Sequence, residues 1–269
     1  MHPIGLEYLT LYGTHPVDYI RIAAEAGCSQ VSLFTGPVAV PESPAHPPSI
    51  LDDPGLRRDI RAALDGHGIS VSLVEGFLVS PGHSVAAYDR TLDLLAELGA
   101  SRINAISFDA LDRTVDELGT LAEMTAARGV TLTMEPCPLF TIDSFACALD
   151  IVRDVANPNL KLLVDTLHFC RSDGFAMIDR IDPALIDYVQ ICDGPLVASS
   201  PEAYLDEALY DRLPPGEGEL PLAKVLGRMP DGVTVSAETP MRRRRHAGFN
   251  DAQIAGLAVE GTRKVLEAV

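Results

Sequence analysis

Strand-like and helix-like segments alternate along this chain, and that alternation is what most constrains its fold. The predicted strands are Ile4–Tyr8, Gln30–Phe34, Ile69–Glu75, Arg102–Ser107, Thr131–Glu135, Leu160–Asp165, Tyr188–Cys192 and Val233–Glu238. The predicted helices are Val17–Ala26, Gly55–His67, Val85–Leu98, Leu111–Arg128, Ile142–Val155, Phe175–Arg180, Leu220–Arg228 and Asp251–Ala268. Strict alternation of this kind is typical of a parallel sheet, and eight units favour closure into a barrel.

The length of the chain is consistent with a single barrel domain. A closed (β/α)8 barrel takes about 250 residues, and the chain has 269. We therefore expect an α/β fold in which residues 1–269 form one domain. No GxGxxG motif follows the first strand, which argues against a dinucleotide-binding fold. Two longer connections, residues 36–54 and 194–219, are predicted to lie over the barrel mouth as candidate lids.

Charge and hydropathy exclude two classes of partner. The formal net charge is −17 and the sequence pI is about 4.7, so the field of the protein repels a nucleic-acid backbone. No apolar run reaches the roughly 18 residues that a membrane span needs. The five cysteines form no CxxC pair, as expected in a reducing compartment. With no basic, apolar leader at the N-terminus, we expect a cytoplasmic protein.

Four oxygen-bearing side chains stand at the ends of four successive predicted strands. They are Glu135, Asp165, Gln190 and Glu238, and turn-forming residues follow each of them. A βα barrel gathers the carboxyl ends of its strands at one mouth, where active sites of this fold are built. The pattern therefore predicts that these four side chains converge on one divalent metal ion.

The sequence blocks around these residues resemble a known family. The blocks LTMEP, VDTLH, YVQICD, PPGEGEL and SAETP occur in this order at strand-length spacing. They resemble the xylose-isomerase-like TIM-barrel superfamily of sugar phosphate isomerases and epimerases, and the resemblance spans essentially the whole chain. It implies a metal held by strand-end residues, with Glu135, Asp165 and Glu238 as matching ligands. Gln190 departs from the pattern, because many relatives carry His there.

A ligand set that contains only oxygen favours one metal class over another. Three carboxylates and the carbonyl oxygen of Gln190 suit Mn²⁺ or Mg²⁺ better than Zn²⁺, which prefers nitrogen and sulfur donors. We expect one such ion per chain. A metal-free barrel that only binds a small ligand remains an alternative.

The resemblance also implies a reaction. Members isomerise or epimerise sugars and related polyhydroxylated carbonyl compounds by forming an enediolate. Removing a proton next to a carbonyl needs an acid–base pair and a cation that stabilises the resulting charge. By this resemblance Glu135 and Glu238 are the catalytic pair. Other members that resemble 3-dehydroshikimate dehydratase or inosose dehydratase eliminate water, so a metal-dependent lyase is the alternative reaction.

Further residues are predicted to contact the substrate. His168 matches a position that contacts substrate oxygens in relatives, although a histidine bonded at a helix start is the alternative. Asp193 either orients a ligand or caps a turn. Arg212, beside the PPGEGEL loop, is predicted to form a polar wall, and Glu75 is predicted to face the mouth.

An arginine run follows the last predicted strand. Arg242 is the first residue of the run Arg242–Arg245, and it is predicted to hold an anionic group of the substrate. The same run on an acidic surface is also consistent with an exposed face or with contact to a second copy of the chain. A homo-oligomer is therefore an expectation, alongside a small-molecule substrate and no nucleic-acid or membrane partner.

Overall fold

Eight parallel strands close into a barrel. The computed structural model describes residues 2–35 and 49–269. The strands are β1 (Ile4–Leu6), β2 (Gln30–Phe34), β3 (Ser70–Val79), β4 (Arg102–Ser107), β5 (Thr131–Met134), β6 (Leu160–Asp165), β7 (Ile186–Ile191) and β8 (Thr234–Ala237). Each strand pairs in parallel with its neighbours in chain order, and β1 pairs with β8. The predicted α/β barrel fold is thereby confirmed.

Among the described residues, at least one α-helix lies between each pair of successive strands, and two more follow β8. They are α1 (Pro16–Glu25), α2 (Pro54–His67), α3 (Asp89–Glu97), α4 (Leu111–Ala126), α5 (Phe145–Val155), α6 (Thr166–Arg171), α7 (Gly174–Met177), α8 (Pro201–Tyr210), α9 (Leu222–Leu226), α10 (Arg242–His246) and α11 (Asp251–Glu267). Capping fixes several of the starts. The Asp53 side chain accepts from the backbone N–H groups of Gly55 and Leu56, and Asn250 and Gln253 form a capping box.

Several predicted boundaries move because of local hydrogen bonds. The first strand ends at Leu6, since Tyr8 already belongs to a 3₁₀ turn. The fifth predicted helix starts at Phe145 instead of Ile142, because the Ser144 side chain accepts from a backbone N–H of the first turn. The predicted helix Val85–Leu98 divides into a 3₁₀ turn and α3. These shifts leave the strand order unchanged.

Three helices were not predicted. α6 begins directly after β6, because the carboxylate that ends this strand, Asp165, also caps the helix. α8 lies within the connection 194–219, and α10 consists of the arginine run and His246. Of the other predicted lid, 36–54, residues 36–48 lie outside the described residues. Among the described residues, no helix is long and apolar enough to cross a membrane.

The inside of the barrel is small and partly polar. Leu73, Leu163 and Tyr188 form a buried apolar cluster of their own, separate from the large core that the other buried side chains form. The Tyr188 hydroxyl donates to Glu7 Oε1 at 2.7 Å and lies 2.9 Å from Ser72 Oγ. A polar layer therefore lies within the barrel, and Glu7, which directly follows β1, is part of it.

β1 and β8 approach so closely that only glycine fits at one position. A Cβ atom built on Gly5 would lie 2.6 Å from Ser236 Oγ and 3.0 Å from Ser236 Cβ. Both of these strands are short and pair along three residues. The seam that closes the barrel therefore depends on the missing side chain at Gly5.

We expect Gly5→Ala to lower the free energy of unfolding by about 1–3 kcal/mol, because the added methyl group overpacks the seam. Gly66→Ala is the matched control. No atom lies within 4 Å of a Cβ built on Gly66, which is exposed in α2, so alanine should stabilise by about 0.5–1 kcal/mol. Urea denaturation followed by circular dichroism measures both. Equal effects of the two substitutions would contradict a tight seam.

Candidate active site

The four predicted ligand residues lie at the carboxyl ends of β5 to β8. Asp165 is the last residue of β6 and Gln190 the penultimate residue of β7, while Glu135 and Glu238 directly follow β5 and β8. All four are buried, with exposures between 0 and 8%. Buried carboxylates are stable only with counter-charges or hydrogen-bond donors, so the partners of these groups define the site.

Arg212 lies between two of the carboxylates. Its NH1 donates to Asp165 Oδ2 at 2.6 Å, its NH2 lies 2.9 Å from Glu238 Oε2, and its Nε donates to the Ala208 carbonyl. The side chain of Arg212 is 3% exposed. The residue predicted as a polar wall therefore joins the ends of β6 and β8 from within the cluster.

Gln190 is held in one orientation by two acidic neighbours. Its Nε2 donates to Glu75 Oε1 at 3.0 Å and to Glu238 Oε1 at 3.1 Å. Both carboxyl groups act as acceptors here, so the amide nitrogen faces them. Gln190 Oε1 is left buried without a hydrogen-bond partner. An orphaned amide oxygen in this place has the character of a ligand for a cation.

The donor set fits a divalent ion. Ligand atoms of Glu135, Asp165 and His168 all lie within 4.8 Å of one another, and Glu238 is linked to Asp165 through Arg212. Glu135, Asp165 and His168 therefore form a group that fits a divalent ion. Of the other two predicted ligands, Glu238 lies in a second group with Glu7 and Glu75, and Gln190 belongs to neither group.

A second acidic group extends from this cluster into the barrel. Ligand atoms of Glu7, Glu75 and Glu238 also lie within 4.8 Å of one another. Burial, as the largest cause, raises the pKa of Glu7 and raises that of Glu75 well above its usual value. These two side chains therefore tend to be neutral acids, which reduces the repulsion around Glu238.

The pKa values of the mouth carboxyls are pushed apart. Burial and then repulsion by Asp165 raise the pKa of Glu135 to about 8, and burial raises that of Glu238 well above its usual value. Burial alone would raise the pKa of Asp165 too, but the adjacent Arg212 charge outweighs it and holds this pKa below the usual range. Without a bound cation, Asp165 is therefore a stronger acid than Glu135 and Glu238. Such a separation is typical of acid–base pairs.

His168 and Asn104 position Glu135. Asn104 Nδ2 donates to Glu135 Oε2 at 2.8 Å, and His168 Nε2 lies 3.4 Å from Glu135 Oε1. His168 Nδ1 lies 2.6 Å from the Tyr204 hydroxyl. Asn104 and Tyr204 were missed by the sequence reasoning, since a polar residue within a strand and a tyrosine on an unpredicted helix carry no spacing signal.

His168 is an uncharged donor in this environment. Burial is the largest cause of the shift that lowers the pKa of His168 to about 4. Burial also raises the pKa of Tyr204. Tyr204 therefore keeps its proton, and the tautomer in which it donates to Nδ1 has the imidazole proton on Nε2, towards Glu135. This tautomer lets His168 donate to an oxygen atom in the cavity.

Asp193 organises the loop that carries Arg212. Its carboxylate accepts from the backbone N–H groups of Gly194, Gly216 and Leu220 at 2.8–3.0 Å. Its backbone also pairs with Leu213, the residue after Arg212. Asp193 is absent from the side chains lining the cavity described below. The geometry thus favours a positioning role for Asp193 over the predicted contact with substrate.

The arginine run lies outside the cavity. Each of its four side chains pairs with an acidic residue: Arg242 with Asp206, Arg243 with Asp211, Arg244 with Glu217 and Arg245 with Asp251. Arg242 in addition lies over the ring of Tyr210 at 5.2 Å. These contacts give no support to the predicted contact between Arg242 and an anionic substrate group, which stays a prediction.

A cavity of about 420 Å³ opens above the cluster. Glu75, Glu135, Glu238, His168 and Arg212 form its polar part. Its walls are largely apolar and come from β2, β3, the loop after β5 and α8: Phe34, Phe77, Leu78, Leu139, Phe140, Leu205 and Leu209. The cavity therefore combines several convergent polar groups with apolar walls, which is the usual makeup of a small-molecule site.

Comparisons with known proteins agree with this fold. A family model described as "Xylose isomerase-like TIM barrel" matches residues 20–264. A curated "3-dehydroshikimate dehydratase" of Pseudomonas aeruginosa is 27% identical over an alignment of 274 positions that covers 96% of this chain. The chain spans only 40% of the length of that relative.

Solved structures share the fold. An IOLI protein with a bound zinc atom matches with a TM-score of 0.78 at 18% identity, covering 99% of this chain and 98% of that one. A D-psicose 3-epimerase from Clostridium cellulolyticum H10 matches with a TM-score of 0.73 at 15% identity, covering 98% of both chains. At these identities the matches concern the architecture of the barrel.

In the presence of a chelator, Arg212→Met should lower the free energy of unfolding by about 3–5 kcal/mol, because it leaves the Asp165 carboxylate buried without its counter-charge. Arg153→Met is the matched control. Arg153 pairs with Asp150 and Asp154 at 67% exposure, and surface pairs of this kind contribute little. Urea denaturation at neutral pH compares the two. If both substitutions had the same small effect, Arg212 would not be the counter-charge of the cluster.

His168 should stay neutral from pH 7 to about pH 5 in the metal-free protein. Its folded pKa of about 4 lies below the ordinary 6.5, so its contribution to stability is lost as the pH falls from about 6.5 towards 4. The ¹⁵N shifts of its imidazole report the charge, and the spectrum of His168→Asn identifies the signal. An imidazolium signal at pH 6 would show that the surrounding carboxylates outweigh burial.

Proposed function

We propose that this chain, which belongs to the xylose isomerase-like TIM barrel family, is a divalent-metal-dependent isomerase or epimerase. Its substrate is a sugar or a related hydroxylated carbonyl compound, and its first step is removal of a carbon-bound proton next to the carbonyl group. The observation that carries this proposal is the pair of buried carboxyls with raised pKa values, Glu135 and Glu238, at one cavity.

The two carboxyls stand on different sides of the barrel mouth. Glu135 follows β5 and Glu238 follows β8, with β6 and β7 between them on one side and β1 to β4 on the other. A substrate held between them is accessible to one carboxyl from each side. Removal of a proton by one group and its return by the other changes the configuration of a carbon atom. This arrangement therefore supports epimerisation in particular.

Other side chains bind and orient the substrate in this proposal. The Nε2–H of His168 donates to a substrate oxygen, and Tyr204 fixes the tautomer that makes this possible. Asn104 holds the Glu135 carboxyl through Oε2, which leaves Oε1 for the proton transfer. Arg212 keeps Asp165 ionised and Glu238 in place. These contacts set the geometry before the substrate enters, which is the main contribution of a rigid site.

Glu135, Asp165, Gln190 and Glu238 would hold the metal ion. A divalent cation at this place supplies a positive charge that polarises the carbonyl group and stabilises the charge developing on its oxygen. The oxygen donors favour Mn²⁺ or Mg²⁺ over Zn²⁺. The orphaned Oε1 of Gln190 supports this assignment, because a buried polar atom without a partner is costly in a metal-free site.

Elimination of water is the second candidate. It is favoured by the likeness to a protein named 3-dehydroshikimate dehydratase, at 27% identity over almost the whole chain. The same first step serves both reactions, since a proton next to a carbonyl also leaves before a β-hydroxyl group departs. In a dehydratase one carboxyl removes the proton and the other protonates the leaving hydroxyl. The product of the reaction distinguishes the two.

Purified protein should retain about one Mn²⁺ or Mg²⁺ per chain, and Glu238→Gln should abolish proton transfer. The neutral amide cannot act as a base and weakens the cation site. Elemental analysis measures the metal, and NMR in D₂O follows deuterium at the carbon next to the carbonyl across a panel of ketoses, inososes and 3-dehydroshikimate. An epimer or isomer as product supports the first candidate, and loss of water supports the second.

Glu217→Gln is the matched control, because Glu217 pairs with Arg244 outside the cavity at 42% exposure. It should keep both the metal and the exchange. If the protein holds no metal after reconstitution and no compound exchanges its carbon-bound proton, the chain is a metal-free barrel that only binds a ligand.

A further inference from the structure

We infer that the substrate is uncharged and carries an apolar group beside its hydroxylated carbonyl portion. This inference rests on the proposed function, since it assigns the substrate class of that same site. It excludes sugar phosphates and carboxylic acids such as 3-dehydroshikimate as preferred substrates. The charges of the cavity and the composition of its walls carry the argument independently.

Among the described residues that line the cavity, no lysine or arginine is reserved for an anionic substrate group. Arg212 is the one lysine or arginine among the described residues that line it, and residues 36–48 contain neither residue type. Each nitrogen of the Arg212 guanidinium already has an acceptor within the protein, and these acceptors are the Ala208 carbonyl, Asp165 and Glu238. A carboxylate or phosphate in the cavity would therefore compete with two buried carboxyl groups for this one charge.

Arg171 does not fill this gap. Its guanidinium lies over the ring of Tyr204 at 5.0 Å and pairs with Glu207 at 2.8 Å. The side chain of Arg171 is 4% exposed, and it does not line the cavity. The arginine run 242–245 is engaged with acidic residues outside the cavity, as described above. These basic residues near the mouth are therefore paired with acidic residues of the protein.

The charge of the complete site is balanced without the substrate. Glu135, Asp165 and Glu238 as carboxylates are matched by Arg212 and one divalent ion, and Glu75 adds a further acidic group. An anion entering this surrounding loses its hydration without gaining a counter-charge, and it meets acidic side chains. A neutral compound incurs neither cost, so the site selects against charge.

The walls select for an apolar group. Phe34, Phe77 and Phe140 line the cavity, and Phe140 packs edge-on against Phe108 at 5.0 Å. At the rim, Leu78 and Leu205 are 40% and 47% exposed although they line the same cavity. A compound with hydroxyl groups on every side gains little from such walls, whereas an aryl or alkyl group removes them from water.

Two matched pairs of compounds test charge and apolar contact separately. The first is 3-dehydroshikimate and its methyl ester, which differ in one negative charge. The second is a methyl and a phenyl glycoside of the same 3-keto sugar, which differ in one apolar group. Isothermal titration calorimetry measures binding to the Mn²⁺-reconstituted full chain, and NMR in D₂O measures proton exchange for each compound.

The methyl ester should bind at least about tenfold more tightly than the acid, and the phenyl glycoside about tenfold more tightly than the methyl glycoside. Equal or tighter binding of the acid overturns the charge argument, and equal binding of the two glycosides overturns the apolar argument. Failure of every neutral compound to bind also overturns the inference. If the acid exchanges its proton in preference to its ester, the inference is wrong but the proposed function stands. If the compounds bind in the predicted order but none of them exchanges a proton, the inference stands and the proposed function is wrong.

A charge placed in the cavity should reverse the preference. Leu205→Arg puts a guanidinium at the rim, on the exposed side of α8, and should improve binding of the acid relative to its ester by about tenfold. Val197→Arg is the matched control, because Val197 is 78% exposed and does not line the cavity. The charge argument fails if Leu205→Arg leaves the preference between the acid and its ester unchanged, since the missing cation would then not set this preference.

Discussion

The buried ion pairs of Arg212 with Asp165 and Glu238 are the constraint on which the rest of the mouth depends. Several carboxyl groups converge at one end of the barrel, and without compensation their burial would be prohibitive. One guanidinium between the ends of β6 and β8 supplies the counter-charge and also orients the carboxyl groups of Asp165 and Glu238. The planar fork of arginine suits this task, whereas a lysine would contact one carboxylate at a time.

The chain supports that arginine from two directions. Asp193 organises the following loop through three backbone N–H groups, and the close approach of Gly218 to Asp193 leaves no room for a side chain there. On the other side α8 supplies the Ala208 carbonyl to Nε of Arg212. The connection 194–219 is therefore part of the site in itself. It fixes the counter-charge and also contributes Leu205 to the cavity wall.

The sequence predicted the barrel because its information is local and repeated. Eight apolar runs with turn residues at their ends specify the strands, and strand ends in a closed barrel can meet at only one mouth. That rule placed Glu135, Asp165, Gln190 and Glu238 at the mouth, where the structure has them. Asn104 and Tyr204 were not predicted, because their roles depend on which side chain lies across the cavity. The pairing of Arg242 with Asp206 likewise depends on tertiary contact between α10 and α8.

Gln190 shows why an amide in place of an imidazole involves the neighbouring residues. An imidazole at this position needs an acceptor for a single ring N–H, whereas the amide of Gln190 has two donors to place. Glu238 accepts one and Glu75 accepts the other, so the acidic group at β3 is the partner that an amide requires. Glu75 in turn lies beside Glu7, whose Oε1 accepts from the Tyr188 hydroxyl. The amide of Gln190 is thus connected through Glu75 and Glu7 to the polar layer inside the barrel.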